Sequence, residues 1–352
     1  PVRPGGDGFS GKAEFMIRTA IIGAGGIAVK HAQAINRIPE LDVAGVLDPN
    51  PERARLIADL CGSRAISSLD EVLGEIDMIH LLTPPSKRVG YAESAMRAGK
   101  HVLCEKPLAV SLEDACAIRD LANQTGVLFM TAFNMRFRPG YRMLRDDVLS
   151  GRLGEIISVW SHRVGPGSGF GTPLGDSWRT DPDLVCGMAI ESLSHDIDMF
   201  RGLGVEIETV AARVQGVKPE LPAFDNNAQV VLGLAGGRAG VINASWSAHL
   251  PTSSRGVVGT RGTALIRGDG FFDFIEHRIR NDEMEYPRST WLNDLFDAES
   301  YYTENRHFAD CILRQTRPDV TADNGVEALR VSLAILESSR TGETVRIGRT
   351  PS

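Results

Sequence analysis

The sequence predicts an α/β N-terminal Rossmann domain, a doubly wound parallel sheet, followed by an α+β C-terminal domain with a large, mostly antiparallel open sheet. Three observations lead there. From residue 18 to 132, short apolar runs alternate with amphipathic stretches, the pattern of parallel strands joined by crossover helices. Beyond residue 150, strand-like segments follow one another with turn signals between them, which implies antiparallel pairing. A length of 352 residues suits two domains.

In the first part, Arg18–Gly23 is an apolar run ending in glycine, and a helical pattern follows from Ile27 to Ile38. A second run, Leu41–Leu47, ends at Asp48, and Pro51 suits the first turn of a helix reaching about Leu60. Ser68 and Glu71 have capping-box spacing for another helix. Asp77–Leu82 reads as a buried strand, and Ser86–Ala98 as a helix stopped by Gly99. His101–Cys104 is the next strand, Ser111 caps a helix through Ala122, and Val127–Ala132 is a further strand.

In the second part, strands are expected at Glu155–Val164, Val205–Val217, Ala228–Leu234, Gly240–Trp246, Gly256–Val258 and Thr263–Arg267. One helix, Met188–Arg201, lies among them, and two more close the chain near Glu304–Leu313 and Gly325–Ser339. The expected division is a flexible arm at 1–17, a nucleotide-binding domain at 18–135 and an α+β domain at 136–347. The 325–339 helix is expected to pack back on the first domain.

The formal net charge is −7, so a nucleic-acid partner is not expected. No apolar run reaches membrane-spanning length, and the start lacks a secretory apolar region. The five cysteines are scattered and none has Cys-x-x-Cys spacing, so neither a metal site nor a disulfide framework is indicated. A cytoplasmic protein with reduced thiols is the expectation.

Gly23-Ala24-Gly25-Gly26-Ile27-Ala28 fits G-x-G-x-x-[GA] between a strand and a helix. Gly23 allows the tight turn, Gly25 allows backbone to approach a pyrophosphate, and Ala28 allows close packing of helix on strand. The helix start at Gly26 and Ile27 offers N–H groups and partial positive charge to phosphates. Asp48, at the end of the next strand, can accept hydrogen bonds from both hydroxyls of an adenosine ribose and would repel a 2′-phosphate. NAD is therefore expected over NADP.

Further motifs carry a family resemblance. These are Leu82-Thr83-Pro84-Pro85, the stretch Gly99 to Pro107 (GKHVLCEKP), Gly187 to Asp198 (GMAIESLSHDID) and Asn324 to Leu329. With the glycine loop they resemble the glucose–fructose oxidoreductase / inositol dehydrogenase (Gfo/Idh/MocA) family over residues 18–347. The resemblance implies that Glu105 binds the nicotinamide ribose and Lys106 touches the reacting hydroxyl. His195 would be the proton-transfer residue. Thr83, Pro84 and Asn134 would line the cofactor, and Trp178 and Arg179 the substrate pocket. Arg88 stands where the family often has a cofactor-contacting histidine, and Glu191 where it often has aspartate.

Alcohol oxidation needs a base for the hydroxyl proton and a group that stabilises developing alkoxide. Histidine suits the first role and a lysine ammonium the second. Glu191 and His195, spaced i, i+4, would share one side of the Met188–Arg201 helix. The expected function is NAD-dependent oxidation of a sugar, inositol or related polyol. The alternatives are an NADP-dependent carbonyl or double-bond reductase, and a non-catalytic nucleotide sensor. A homodimer or homotetramer is expected through the sheet face that carries Trp160 and Trp246.

Overall fold

The computed structural model of the chain describes residues 15–166, 178, 181, 183–184, 186–217, 224–270, 272–294 and 298–348. Strands β1 (Ile17–Ile22), β2 (Leu41–Leu47), β3 (Ala65–Ile66), β4 (Met78–Leu81), β5 (His101–Glu105) and β6 (Phe129–Ala132) form a parallel sheet in the order β3-β2-β1-β4-β5-β6. Helices α1 (Gly26–Ile35), α2 (Pro51–Leu60), α3 (Arg88–Arg97) and α4 (Leu112–Thr125) make the crossovers. The apolar runs lack alternation because both faces are covered: β1 and β4 are buried almost throughout. Asn50 caps α2 by accepting the Glu52 and Arg53 N–H groups, and Ser111 caps α4 through Asp114 N–H. The Ser68/Glu71 capping box forms, but it opens only a three-residue turn, Leu69–Glu71.

The strand order reverses between β1 and β4, and in open α/β sheets ligands bind beyond the carboxyl ends of the strands at that point. Helix α8 (Ala298–Arg314) completes this unit. It seats against α1, with Arg37 bonded to Glu299 at 2.9 Å and lying over the Tyr302 ring. Among the described residues, this first compact unit takes 15–134 with 298–326, although 298–326 lies within the 136–347 stretch.

The second unit begins with α5 (Pro139–Leu149), which the sequence reading did not anticipate, and is built on a nine-stranded sheet. Its strands are β7 (Ile156–Pro166), β8 (Ile207–Gln215), β9 (Asn227–Leu234), β10 (Arg238–Ser245), β11 (Ser247–Gly259), β12 (Gly262–Gly268), β13 (Phe274–Asn281), β14 (Arg288–Asp294) and β15 (Val345–Arg346), in the order β14-β13-β12-β11-β7-β10-β9-β8-β15. All neighbours are antiparallel except β7 and β10. That pair is parallel because β11 does not turn back onto β10. It passes the end of β7 and pairs on the other side.

Two short helices, α6 (Gly187–Glu191) and α7 (Ser194–Gly202), replace the single helix expected over Met188–Arg201. Helix α9 (Ala322–Thr341) precedes β15. Its start belongs to the first unit, where a Cβ on Gly325 would meet Leu108 and Thr131 side chains. From Glu327 it belongs to the second, and the Ser338 and Ser339 hydroxyls accept the Ala212 and Val214 N–H groups of β8. Among the described residues, one face of the nine-stranded sheet is open. Val231, Val241, Trp160 and Gly256 sit in register across β9, β10, β7 and β11, with both valines about half exposed. Trp246 is not on that face: it is buried and stacked on Phe224. Among the described residues, no helix is long and apolar enough to cross a membrane.

Candidate active site

The glycine loop leaves β1 with Gly23 at φ +100°, a conformation that favours glycine. A Cβ there would sit 2.8 Å from the Leu82 carbonyl carbon and the Thr83 nitrogen, so the loop also needs glycine to pass the end of β4. Gly25 is the N-cap of α1 in extended conformation, and open space lies beyond it. No acidic residue occupies the first turn of α1, so its N–H groups and partial positive charge are available to an anion. These features fit a dinucleotide pyrophosphate.

Asp48 follows β2 directly. Its Oδ2 accepts the Ala24 N–H at 2.7 Å and its Oδ1 accepts the Asn50 N–H at 2.8 Å. The carboxylate thereby fastens the glycine loop to the end of β2 and keeps lone pairs for further donors. Beside it lies a cavity of about 380 Å³ lined by Leu47, Ser67, Ser68, Lys87 and Tyr91 among others.

The loops after β4 and β5 are tied together by Arg88. Its Nε and Nη2 donate to the Thr83 carbonyl at 3.0 and 2.8 Å, and its Nη1 donates to the Glu105 and Pro107 carbonyls. The guanidinium is thus committed to main chain, which explains a buried arginine at this place. The Thr83 hydroxyl is buried and meets no hydrogen-bond partner among the described residues. Glu105 is buried. Its Oε2 accepts the Lys106 N–H at 2.9 Å and its Oε1 lies 3.3 Å from His31 Nε2. Burial pushes this carboxyl up, but the His31 hydrogen bond and the Lys106 charge outweigh it, and the group is held below the ordinary glutamate range. Lys106 is partly exposed just beyond, and Asn134 donates to Ser300 of α8 at 3.2 Å. The fold therefore brings Gly23, Gly25, Asp48, Thr83, Glu105 and Lys106 to one edge of the parallel sheet.

In the second unit, Glu191 ends α6 and His195 lies in the first turn of α7, both buried. They are not one turn apart on a continuous helix, because the ladder breaks between them. Ser192 and Leu193 N–H both bond the Met188 carbonyl, and His195 N–H bonds the Ser192 carbonyl, three residues back. A long-range ion pair engages this break. Arg163 on β7 donates to the Ser192 carbonyl at 2.8 Å, to its hydroxyl at 3.0 Å and to Asp196 Oδ2 at 2.8 Å. Ser161 at 2.7 Å and Arg255 at 3.3 Å bond the other Asp196 oxygen. Burial raises the Asp196 carboxyl, but the two guanidinium charges and these hydrogen bonds hold it below its usual range. The His195 ring meets Phe272 edge-on at 5.9 Å.

Asp225 seats the start of α6. Its carbonyl takes the Met188 N–H, its Oδ2 takes the Ala189 N–H at 2.8 Å, and a Cβ on Gly187 would collide with its Oδ1. Burial, with the Glu191 charge adding, pushes the Asp225 carboxyl up to about 6. Asp198 is gripped by Arg136 through two contacts of 2.7 Å. Trp178 is half-buried, and its carbonyl accepts the Asp181 N–H; Arg179 lies outside the described residues.

Sequence reasoning missed His31, Asp196 and Asp225. His31 shares the buried side of α1 with Ala28, Ala32 and Ile35, a weak signal. The partners of Asp196 come from the distant strands β7 and β11, and those of Asp225 from the start of α6 more than thirty positions away, so neither leaves a local mark.

Residues 17–133 match the oxidoreductase family with NAD-binding Rossmann fold, and residues 141–265 match the GFO/IDH/MocA C-terminal domain. The inositol 2-dehydrogenase of Rhizobium meliloti (strain 1021) is 29% identical, over 92% of this chain and 96% of its own length. The scyllo-inositol 2-dehydrogenase (NAD(+)) of Bacillus subtilis (strain 168) is 27% identical, over 95% of this chain and 97% of its own. A solved levoglucosan dehydrogenase, in complex with NADH and L-sorbose, superposes with a TM-score of 0.85 at 21% identity, covering 95% of this chain and 99% of that one, and so shares the fold. With both halves matched in order, the chain belongs to the Gfo/Idh/MocA family: it is an oxidoreductase with an NAD-binding Rossmann domain.

Proposed function

We propose that the chain is an NAD-dependent dehydrogenase that oxidises a hydroxyl of a sugar, inositol or related polyol. The observation that carries this reading is the carboxylate of Asp48 bonded to the glycine loop, with Glu105 and Lys106 on the same sheet edge. Asp48 accepts from the 2′- and 3′-hydroxyls of the adenosine ribose, and its charge disfavours a 2′-phosphate. The start of α1 at Gly26 and Ile27 takes the pyrophosphate. Thr83, Pro84 and Asn134 line the cofactor, Arg88 holds the loops that do so, and Glu105 takes the nicotinamide ribose. NAD, when bound, supplies the hydride acceptor.

The chain supplies the proton chemistry. His195 is the general acid/base and Lys106 polarises the substrate oxygen, its ammonium favouring a developing alkoxide. Glu191 orients the imidazole or binds a second hydroxyl, with Trp178 and Arg179 at the substrate. Relatives named as inositol dehydrogenases support the substrate class. The NADP-dependent reductase alternative is disfavoured by Asp48, and a nucleotide sensor would need neither Lys106 nor His195. The open face with Val231, Val241 and Trp160 supports association as a homodimer or homotetramer, and a cytoplasmic location suits this chemistry. The test is a panel of polyols, inositols and aldoses with NAD and with NADP, followed at the nicotinamide absorbance band. Turnover of none of them with NAD would reject the reading.

A further inference from the structure

Side chains from five segments of the first unit join in one buried line. Thr19 Oγ1 on β1 lies 2.8 Å from His80 Nδ1 on β4, and His80 Nε2 lies 2.6 Å from Asn305 Oδ1 on α8. Asn305 Nδ2 lies 3.1 Å from His31 Nδ1 on α1, and His31 Nε2 lies 3.3 Å from Glu105 Oε1 at the end of β5. All five residues are buried.

The chemistry of the partners fixes the Asn305 amide and, through it, the His31 tautomer. The Tyr301 carbonyl can only accept, and it lies 2.8 Å from Asn305 Nδ2, which fixes the amide orientation. The amide oxygen then faces His80, so His80 carries its proton on Nε2 and takes the Thr19 hydroxyl on Nδ1. The second amide N–H points at His31 Nδ1, which must present a lone pair. The His31 proton is left on Nε2, directed at Glu105. Burial holds the His80 imidazole down at about 3, so it carries a single ring proton. The line runs one way and ends on a carboxylate whose other oxygen is held by the Lys106 N–H.

A glutamate left to itself samples several rotamers, and fixing one before a ligand arrives removes that cost from binding. We propose that His31, locked by Asn305 as its Nε2–H tautomer, is the positioning residue that presets the Glu105 carboxylate for the cofactor. This rests on the reading of Glu105 as the residue that takes the nicotinamide ribose.

The groups facing Glu105 are His31 from α1, Lys106 on its own loop, Arg88 from α3 and Glu304 from α8. Burial, with the Glu105 charge adding, pushes Glu304 well above the carboxylate range. NADH binding to the full chain, measured by fluorescence from pH 5 to 8, gives the test with His31→Leu, His31→Gln, Glu105→Gln and the double variant. His31→Leu is expected to weaken binding about 10-fold at pH 7, the scale of a lost hydrogen bond to a charged group. The loss should grow as pH falls, because Glu105 without its donor takes a proton more readily. His31→Gln, which keeps a donor near the Nε2 position, should stay within about 3-fold. In the Glu105→Gln background, His31→Leu should add nothing.

Equal loss in both backgrounds, or wild-type binding by His31→Leu beside a weakened Glu105→Gln, overturns the proposal alone. Wild-type binding by Glu105→Gln overturns the reading of Glu105 and the proposal with it. Should His31→Leu fail to fold, His31→Asn is read in its place. Its shorter amide reaches Asn305 but not Glu105, so the same outcomes decide.

Discussion

The Asp48 carboxylate accepts the main-chain N–H of Ala24 at 2.7 Å, so the residue assigned to the cofactor's ribose also fastens the glycine loop. Two effects should therefore separate on substitution. Asp48→Ser is expected to raise affinity for NADP relative to NAD, while weakening both through the loosened loop. Asp48→Asn removes the charge but keeps an acceptor for Ala24, so the ratio should move with less overall loss. Titration of both cofactors against the three proteins checks this. Tighter binding of NADP than NAD by the native protein would remove the role given to Asp48.

Asp225 should make stability fall as pH rises. Its carboxyl sits at about 6 in the folded chain against an ordinary 3.8, raised by burial and then by Glu191. The folded state therefore holds the proton more tightly, and the stabilisation is fully present below about 4. It is lost as pH climbs through about 6, by up to about 3 kcal/mol at 1.36 kcal/mol per unit. Asp225→Asn keeps an acceptor for the Ala189 N–H and does not titrate. Its stability relative to wild type should rise between pH 4 and 7 in denaturant titrations, and parallel curves would contradict the assignment.

Much of this was legible because the first unit obeys local rules. The run Ile17–Ile22, the glycine turn and Asp48 at the end of Leu41–Leu47 all follow from strand, turn and helix-start chemistry within a few residues. The break at Ser192–Leu193 was not legible. The side chain bonded to it, Arg163, lies about thirty positions earlier on a strand, and nothing in GMAIESLSHDID signals it. The parallel pairing of β7 with β10 is hidden for the same reason, since it depends on β11 taking the other side of β7. Trp246 misled because an aromatic residue on a strand can face either way, and here Phe224 covers it.

The Asp196–Arg163 pair should resist substitution at one end more than its hydrogen bonds alone suggest. Asp196 lies among Arg163 and Arg255, all fully buried, with the closest contact to Arg163 at 2.5 Å. Asp196→Asn leaves two buried cations without their carboxylate, so a loss of about 3–5 kcal/mol is expected. The folded carboxyl is held below its ordinary value, so its stabilisation exists above about pH 4 and disappears as pH falls through the folded value. The variant should accordingly show a flatter acid limb. A stability within about 0.5 kcal/mol of wild type would contradict the buried-pair account.

Assembly through the open sheet face can be tested where it is most apolar. Val241 is 46% exposed and sits across from Val231 and Trp160. Val241→Glu should leave the thermal stability of a single chain nearly unchanged, since the site is exposed. In an oligomer built on this face it would place facing carboxylates at the interface and shift sedimentation toward monomer. A wild type that sediments only as monomer at micromolar concentration would reject the proposed association.

The catalytic assignment makes the sharpest demand. His195 is carried on a helix that Arg163 pins through Asp196 in its first turn and through Ser192 just before it, which is the support a proton-transfer residue needs. Lys106 follows a strand whose last residue, Glu105, is itself held from behind by His31. If the imidazole takes the hydroxyl proton, His195→Ala should lower turnover by about 10²–10⁴-fold, the usual contribution of general acid–base catalysis. NAD affinity should persist, because the glycine loop and Asp48 are untouched. Lys106→Ala should also lower turnover, since the ammonium favours the developing alkoxide more than the neutral alcohol. His195→Asn separates packing from chemistry, as it retains a polar side chain but cannot serve as a base near neutral pH. It should be as slow as the alanine variant while unfolding at nearly the wild-type temperature. Steady-state kinetics on the substrate found in the panel decides the matter. Near-normal turnover by His195→Ala would move the proton-transfer role to another residue, with Glu191, buried at the end of the preceding helix, the first to test.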